Sequence, residues 1–259
     1  MADQAQELRA RIFLRSCLPL VKVVLEERSA YRKLLYRAGG AVQFAAADSE
    51  QGAWVELTPE GLDVKQGKHP SPSITLTFKA LRDMNEFFAG GLALPRVSGI
   101  AGLPSLLRLL PFLLKLKMLL PDVIPEDPDE KALKVRMLLF MVTNALSQLN
   151  KGGDEAMAKY AKTSPDRIFQ LTVENGGPAA YLRIKAGRSK AGRGTYTRRR
   201  PYVHMIFPDS EGAFDVLTQH FSNVEAVRLG KLRMEGAMEG GKEIGLLMQR
   251  IEAITTGAV

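Results

Sequence analysis

A degenerate internal repeat constrains this chain more than any other feature, because the segment from Ile74 to Leu113 returns in altered form from Val203 to Ile251. Each copy opens on a β-prone run ending in phenylalanine: Ile74-Thr75-Leu76-Thr77-Phe78 and Val203-His204-Met205-Ile206-Phe207. A short helix follows, marked by Phe87 and Phe88 in one copy and by Phe214 and Leu217 in the other. Next comes a glycine-containing strand and turn, Arg96-Val97-Ser98-Gly99-Ile100-Ala101-Gly102 against Arg233-Met234-Glu235-Gly236-Ala237-Met238-Glu239, and an apolar helix closes each copy. The order of elements agrees as well as the residues do, which predicts two related folding units.

A chain of 259 residues is long enough for two cores of that size. Cys17 is the single cysteine, so intrachain disulfides and thiolate clusters are excluded, and its apolar neighbours read as a buried small residue, not a nucleophile. Asp3 and Glu7 near the start, and Pro19 and Lys22 within the apolar stretch from Leu18 to Leu25, speak against a secretory leader and for a cytoplasmic protein.

Along the chain, residues from about Gln4 to Tyr36 carry helical spacing with a break at Pro19. Strand-like runs at Val42 to Ala46, Ala53 to Leu57 and Leu62 to Lys65, separated by turn-forming stretches, predict a meander, and Lys79 to Phe88 a short helix. The run from Leu103 to Leu120 is the most apolar. Two prolines and three cations in 18 residues disfavour a membrane span, which needs about 20 predominantly apolar residues. Burial in the core, a wall against bound lipid, and a place at a membrane surface all suit such a helix. The proline-rich acidic connector from Pro121 to Glu130 marks the boundary between domains 1–125 and 126–259, with Asp129 placed to cap the helix that runs to Leu149. Strands are expected again at Ile168 to Val173, Ala180 to Lys185 and Tyr196 to Phe207.

The net charge of +8 is uneven: Arg183, Lys185, Arg188, Lys190, Arg193, Arg198, Arg199 and Arg200 fall in one stretch without an acid. A solvated hairpin face, a site for a phospholipid or acyl-thioester headgroup, and a nucleic-acid patch all fit. Sparse aromatics and the lack of any recognition motif disfavour nucleic acid. His69, His204 and His220 are far apart and none stands at metal-ligand spacing. No phosphate loop, dinucleotide fingerprint or nucleophile elbow is present, so no catalytic residue, metal or cofactor is nominated.

Phe214-Asp215-Val216-Leu217, followed by Gly230-Lys231-Leu232-Arg233-Met234-Glu235-Gly236 and an apolar helix, resembles the end of sterol carrier protein type-2 domains, which run as a short helix, a G-K-L-K-(apolar)-x-G strand and a final helix. The match is clearest over Pro201 to Ile254, and the first copy shares the pattern around Leu94 to Gly99. The resemblance implies an α+β fold: two tandem sterol-carrier-like units, each a mostly antiparallel sheet covered by helices around an apolar cavity. It also implies non-enzymatic binding and transfer or presentation of a fatty-acyl, sterol-like or other lipid. This chain departs from the family in carrying two copies and in the proline-interrupted apolar helix of the first.

Binding hydrocarbon stabilises by about 0.8 kcal/mol per buried methylene, and methionines suit a cavity that takes varied shapes. Leu76, Phe78, Phe87, Phe88, Leu106, Leu107 and Leu110 are the expected lining of the first cavity. Met205, Phe207, Phe214, Leu217, Met234, Met238, Leu247 and Met248 are that of the second, with Arg198, Arg199 and Arg200 guiding docking to anionic headgroups or an acidic partner. The competing reading is a structural or assembly protein whose apolar helices bury a partner or second subunit.

Overall fold

The computed structural model describes residues 3–258, apart from the side chain of Met238. The chain divides into two compact units, one running to Leu120 and taking in the last residues from Thr255, the other Pro121–Ile254.

In the first unit, helix α1 (Gln4–Ile12) starts where the Asp3 side chain accepts the Gln6 N–H at 2.8 Å. The chain then winds through a π turn (Phe13–Cys17) and a 3₁₀ turn (Leu18–Leu20) into α2 (Val21–Glu27). Pro19 is the cause: it has no N–H to donate and its ring crowds the carbonyl four residues back, so the turn ahead of it widens. Strands β1 (Ala41–Ala46), β2 (Gly52–Thr58) and β3 (Gly61–Gln66) form the expected meander. Strand β4 (Ile74–Phe78), helix α3 (Leu81–Phe88), strand β5 (Arg96–Ser98) and helix α4 (Leu103–Leu116) follow.

The second unit begins with α5 (Pro128–Lys151) and α6 (Glu155–Thr163). Asp127, not Asp129, caps α5, accepting from the Glu130 N–H at 2.9 Å, because Pro128 suits the first helical position, where a missing N–H costs nothing. Strands β6 (Arg167–Val173), β7 (Ala179–Lys185), β8 (Arg188–Arg193) and β9 (Val203–Phe207) come next. Then come α7 (Ser210–Leu217), α8 (Asn223–Arg228), β10 (Arg233–Gly236) and α9 (Met238–Thr256). The strand expected from Tyr196 to Phe207 is thus overturned in its first half. Residues 194–202 are irregular, since Pro201 cannot donate to a ladder, and the edge strand is the glycine-containing Arg188–Arg193. Gly192 is required there because a Cβ would stand 2.4 Å from the Tyr181 ring on β7.

Both sheets are five-stranded among the described residues and share one topology, β3-β2-β1-β4-β5 and β8-β7-β6-β9-β10. Three pairings in each are antiparallel. One is parallel, β1 with β4 and β6 with β9, because a helix-free crossover returns the chain to the far side of the meander's first strand. Burial alternates along β2 and β7, so each sheet turns one apolar face to its helices and leaves the other open except along the central strands β1 and β6, which are buried on both faces. The repeat extends to backbone detail. Gly99, just after β5, and Gly236, the last residue of β10, both have positive φ, +84° and +93°. A Cβ on either would stand 2.5 Å from the Ser73 carbonyl oxygen or 2.2 Å from that of Tyr202, the residues just ahead of β4 and β9.

Candidate ligand cavity

In the second unit, α5, the sheet and α9 enclose a cavity of about 10 Å³, room for roughly one water. Helix α5 contributes Val142, Thr143 and Leu146; β6 contributes Phe169, Gln170 and Leu171; β7 Leu182; β9 Val203 and Met205; and α9 Ile244 and Met248. Ile244 and Met248 are one turn apart, which brings both onto the face that α9 turns to the sheet.

Two of these residues are polar, and the side chains of both are committed to the protein. The Thr143 hydroxyl donates to the Leu139 carbonyl at 3.0 Å. The Gln170 amide donates to the carbonyls of Leu171 and Ala180 at 3.1 and 3.0 Å, and its oxygen accepts the Tyr196 N–H at 2.9 Å. What remains facing the cavity is hydrocarbon and thioether, with no titratable group in the wall.

Of the residues expected around the second cavity, Met205 and Met248 line it. Phe207, Phe214, Leu217 and Leu247 are buried elsewhere in the same core. Met234 is half-buried on β10, its methyl against Gly241 of α9, and the side chain of Met238 lies outside the described residues. The residues that sequence reasoning left out are mainly strand and α5 positions such as Val142, Leu146, Phe169, Leu171, Leu182 and Val203. They have the alternation and helical spacing of any core residue.

In the first unit, the corresponding space is filled by rings. Phe88 lies 5.5 Å from Phe44, 5.4 Å from Phe87 and 6.0 Å from Phe13, and Phe87 lies 5.2 Å from Phe78. Leu76 is buried and Leu106 half-buried. Leu107 and Leu110, expected to face inward, stand on the outside at 59% and 42% exposed, because Ser105, Leu109 and Phe112 take the inward side of α4. By strand register and helix position, Phe44 and Phe88 of the first unit correspond to Leu171 and Leu217 of the second, so smaller side chains stand at those two positions, while Phe169 stands where the first unit has Val42.

The basic stretch is partly neutralised by an acid that precedes it. Asp166 holds Arg183 through two bonds of 2.7 Å and Arg199 at 3.2 Å, and these cations keep its carboxyl below the usual range. Arg193 lies over the Phe140 ring, while Arg198 and Arg200 are exposed. Cys17 is buried and its thiol pushed up to about 12 by desolvation, which suits packing and not nucleophilic attack. No metal-holding cluster of three or more His, Cys, Asp or Glu occurs among the described residues.

No protein-family model matches the chain, and no curated protein matches it. Solved structures of sterol carrier protein 2 domains are similar to it. Palmitated sterol carrier protein 2-like 2 from Aedes aegypti is 13% identical over 41% of this chain and 90% of its own, with a TM-score of 0.31. Sterol carrier protein 2 from Yarrowia lipolytica in its apo form is 11% identical over 45% of this chain and 91% of its own, at 0.32. The inverting sec-alkylsulfatase Pisa1 from Pseudomonas sp. is also similar, 11% identical over 64% of this chain and 31% of its own, at 0.28.

Proposed function

We propose that the second unit binds the apolar part of a fatty-acyl, sterol-like or other lipid and carries or presents it without making or breaking a bond. The observation that carries this reading is the enclosed cavity whose two polar side chains are already hydrogen-bonded within the protein. Such a wall favours hydrocarbon and offers no acid, base or nucleophile to a substrate. Pockets for small ligands run to about 300–1,000 Å³, so uptake requires the cavity of about 10 Å³ to widen. The wall suited to move is α9, which carries Met248, a side chain that repacks readily. Arg198 and Arg200 are placed to meet an anionic headgroup or an acidic partner.

Native mass spectrometry of the freshly purified protein, with extraction and identification of any co-purifying lipid, tests this reading. A stoichiometric hydrophobic passenger is the expected result. A clean apo mass together with failure to take up a fluorescent fatty acid overturns it and moves attention to protein partners.

A further inference from the structure

Helix α4 turns its leucines outward. At about 100° per residue, Leu103, Leu107, Leu110 and Leu114 fall within about 60° of arc. All four are exposed, by 44, 59, 42 and 52%. A surface helix ordinarily faces its apolar stripe to the core, yet here the buried Ser105, Leu109 and Phe112 occupy the opposite side. The loop ahead of α4 adds Leu92, Leu94 and Ile100, exposed by 98, 90 and 81%. That connection, which includes the short strand β5, begins at Gly90, whose backbone lies against the side chain of Leu120 beyond the helix's C-terminal end, and it ends in the 3₁₀ turn Ile100–Gly102 at its N-terminus. It therefore runs the length of α4. Between Glu86 and Asp122 the chain has no acid, while Arg96, Arg108, Lys115 and Lys117 supply positive charge.

We infer that α4 and its leading loop dock this protein to the surface of a bilayer carrying anionic lipids, the helix lying in the interface with its leucines among the acyl chains. An apolar stripe flanked by cations is the pattern that sits at such an interface. Fourteen residues span only about 21 Å, short of the roughly 30 Å hydrocarbon core, so α4 lies on the membrane and does not cross it. A second copy fits less well: an isologous pairing of this face brings two sets of cations together, with no acid in the segment to answer them. The inference stands apart from the carrier reading, since a protein with an empty cavity still presents these leucines.

The test is Leu107→Trp in the full chain, mixed with phosphatidylcholine vesicles containing roughly a third phosphatidylserine and lipids brominated on their acyl chains. The indole at position 107 is expected to be quenched, whereas Trp54 of the wild-type protein, on the open face of the sheet, is not. In parallel, Leu107→Gln with Leu110→Gln is expected to lower vesicle association about tenfold or more, with circular dichroism and melting temperature unchanged because both side chains lie outside the core. The inference is overturned if vesicle-bound protein keeps an unquenched indole at position 107, or if wild-type protein ignores anionic vesicles. It is equally overturned if the double variant abolishes a concentration-dependent dimer and leaves vesicle association intact. A clean apo mass and no fluorescent fatty-acid uptake, with quenching retained, remove the carrier reading and leave this one standing.

Discussion

Gln43 and Gln170 each hold a sheet together from inside. The Gln43 amide donates to the carbonyls of Phe44, Ala53 and Gly67 at 2.9, 3.1 and 3.1 Å, and its oxygen accepts the His69 N–H at 2.7 Å. Gln170 repeats this on Leu171, Ala180, Gly194 and Tyr196, at the same separations of 1, 10, 24 and 26 residues. Each side chain thereby ties the first strand of a meander to the end of the third. Replacing either with leucine leaves buried backbone groups unpaired, so Gln43→Leu or Gln170→Leu is expected to cost about 2–4 kcal/mol, read as a lower urea midpoint at unchanged slope. His204 makes a pH-dependent contribution. Burial lowers its pKa below the ordinary value, Glu235 opposing the shift and Arg233 adding to it. The folded state then binds the proton less readily than the unfolded chain, so this contribution is complete above about pH 6.5 and is lost as pH falls through the folded value. His204→Gln should lose less stability than wild type between pH 7 and 5, measured by urea titration at each pH. Neither glutamine was legible in the sequence. A polar residue between apolar neighbours on a strand reads as facing solvent, and only the turn of chain that passes over each amide gives it partners.

Strands and short helices were largely legible, because alternation and turn residues are local signals. The irregular stretch at 194–202 was not, since Tyr196 and its β-prone neighbours give way to a hydrogen bond with Gln170 and to Pro201. Helix α9 holds a testable weakness: Gly240, Gly241 and Gly245 lie in its first turns, and each lowers helix stability by about 1 kcal/mol relative to alanine. Gly240 and Gly241 sit tightly against Tyr202 and Met234, whereas a Cβ at Gly245 meets only the Asn223 side-chain nitrogen at 3.2 Å. That amide can move by a few tenths of an ångström. Gly245→Ala should therefore raise stability by about 0.5–1 kcal/mol and, if α9 is the wall that moves, slow fatty-acid uptake. Thermal melts and stopped-flow fluorescence measure the two effects.

At the level of the whole chain, one topology is used twice with different fillings. Leu171→Phe gives the second unit the ring that Phe44 supplies in the first, across the same parallel register. It should abolish fluorescent fatty-acid uptake while costing about 1–3 kcal/mol through overpacking of so small a cavity, the first read by titration and the second by denaturation. Unaltered uptake would place the ligand elsewhere.

The duplication, the α+β class, the first meander and the closing helices could be read from the residues, because period, turn chemistry and glycine placement act over a few positions of chain; the second meander was not, since its third strand is Arg188–Arg193. Gly99 and Gly236 were legible as glycines of a strand and turn, whereas their seats against the Ser73 and Tyr202 carbonyls, 26 and 34 residues back in the chain, are tertiary contacts. Which way a leucine faces was settled by packing. Leu107 and Leu110 have the residue type and spacing of a cavity wall, yet Leu109 and Phe112 fill the space inside. Leu171 borders a cavity, whereas its counterpart Phe44 packs against the Phe88 ring, and side chains from elements distant in the chain make that difference. Side-chain volume summed over several elements decides whether room is left, and no one segment of sequence contains that sum.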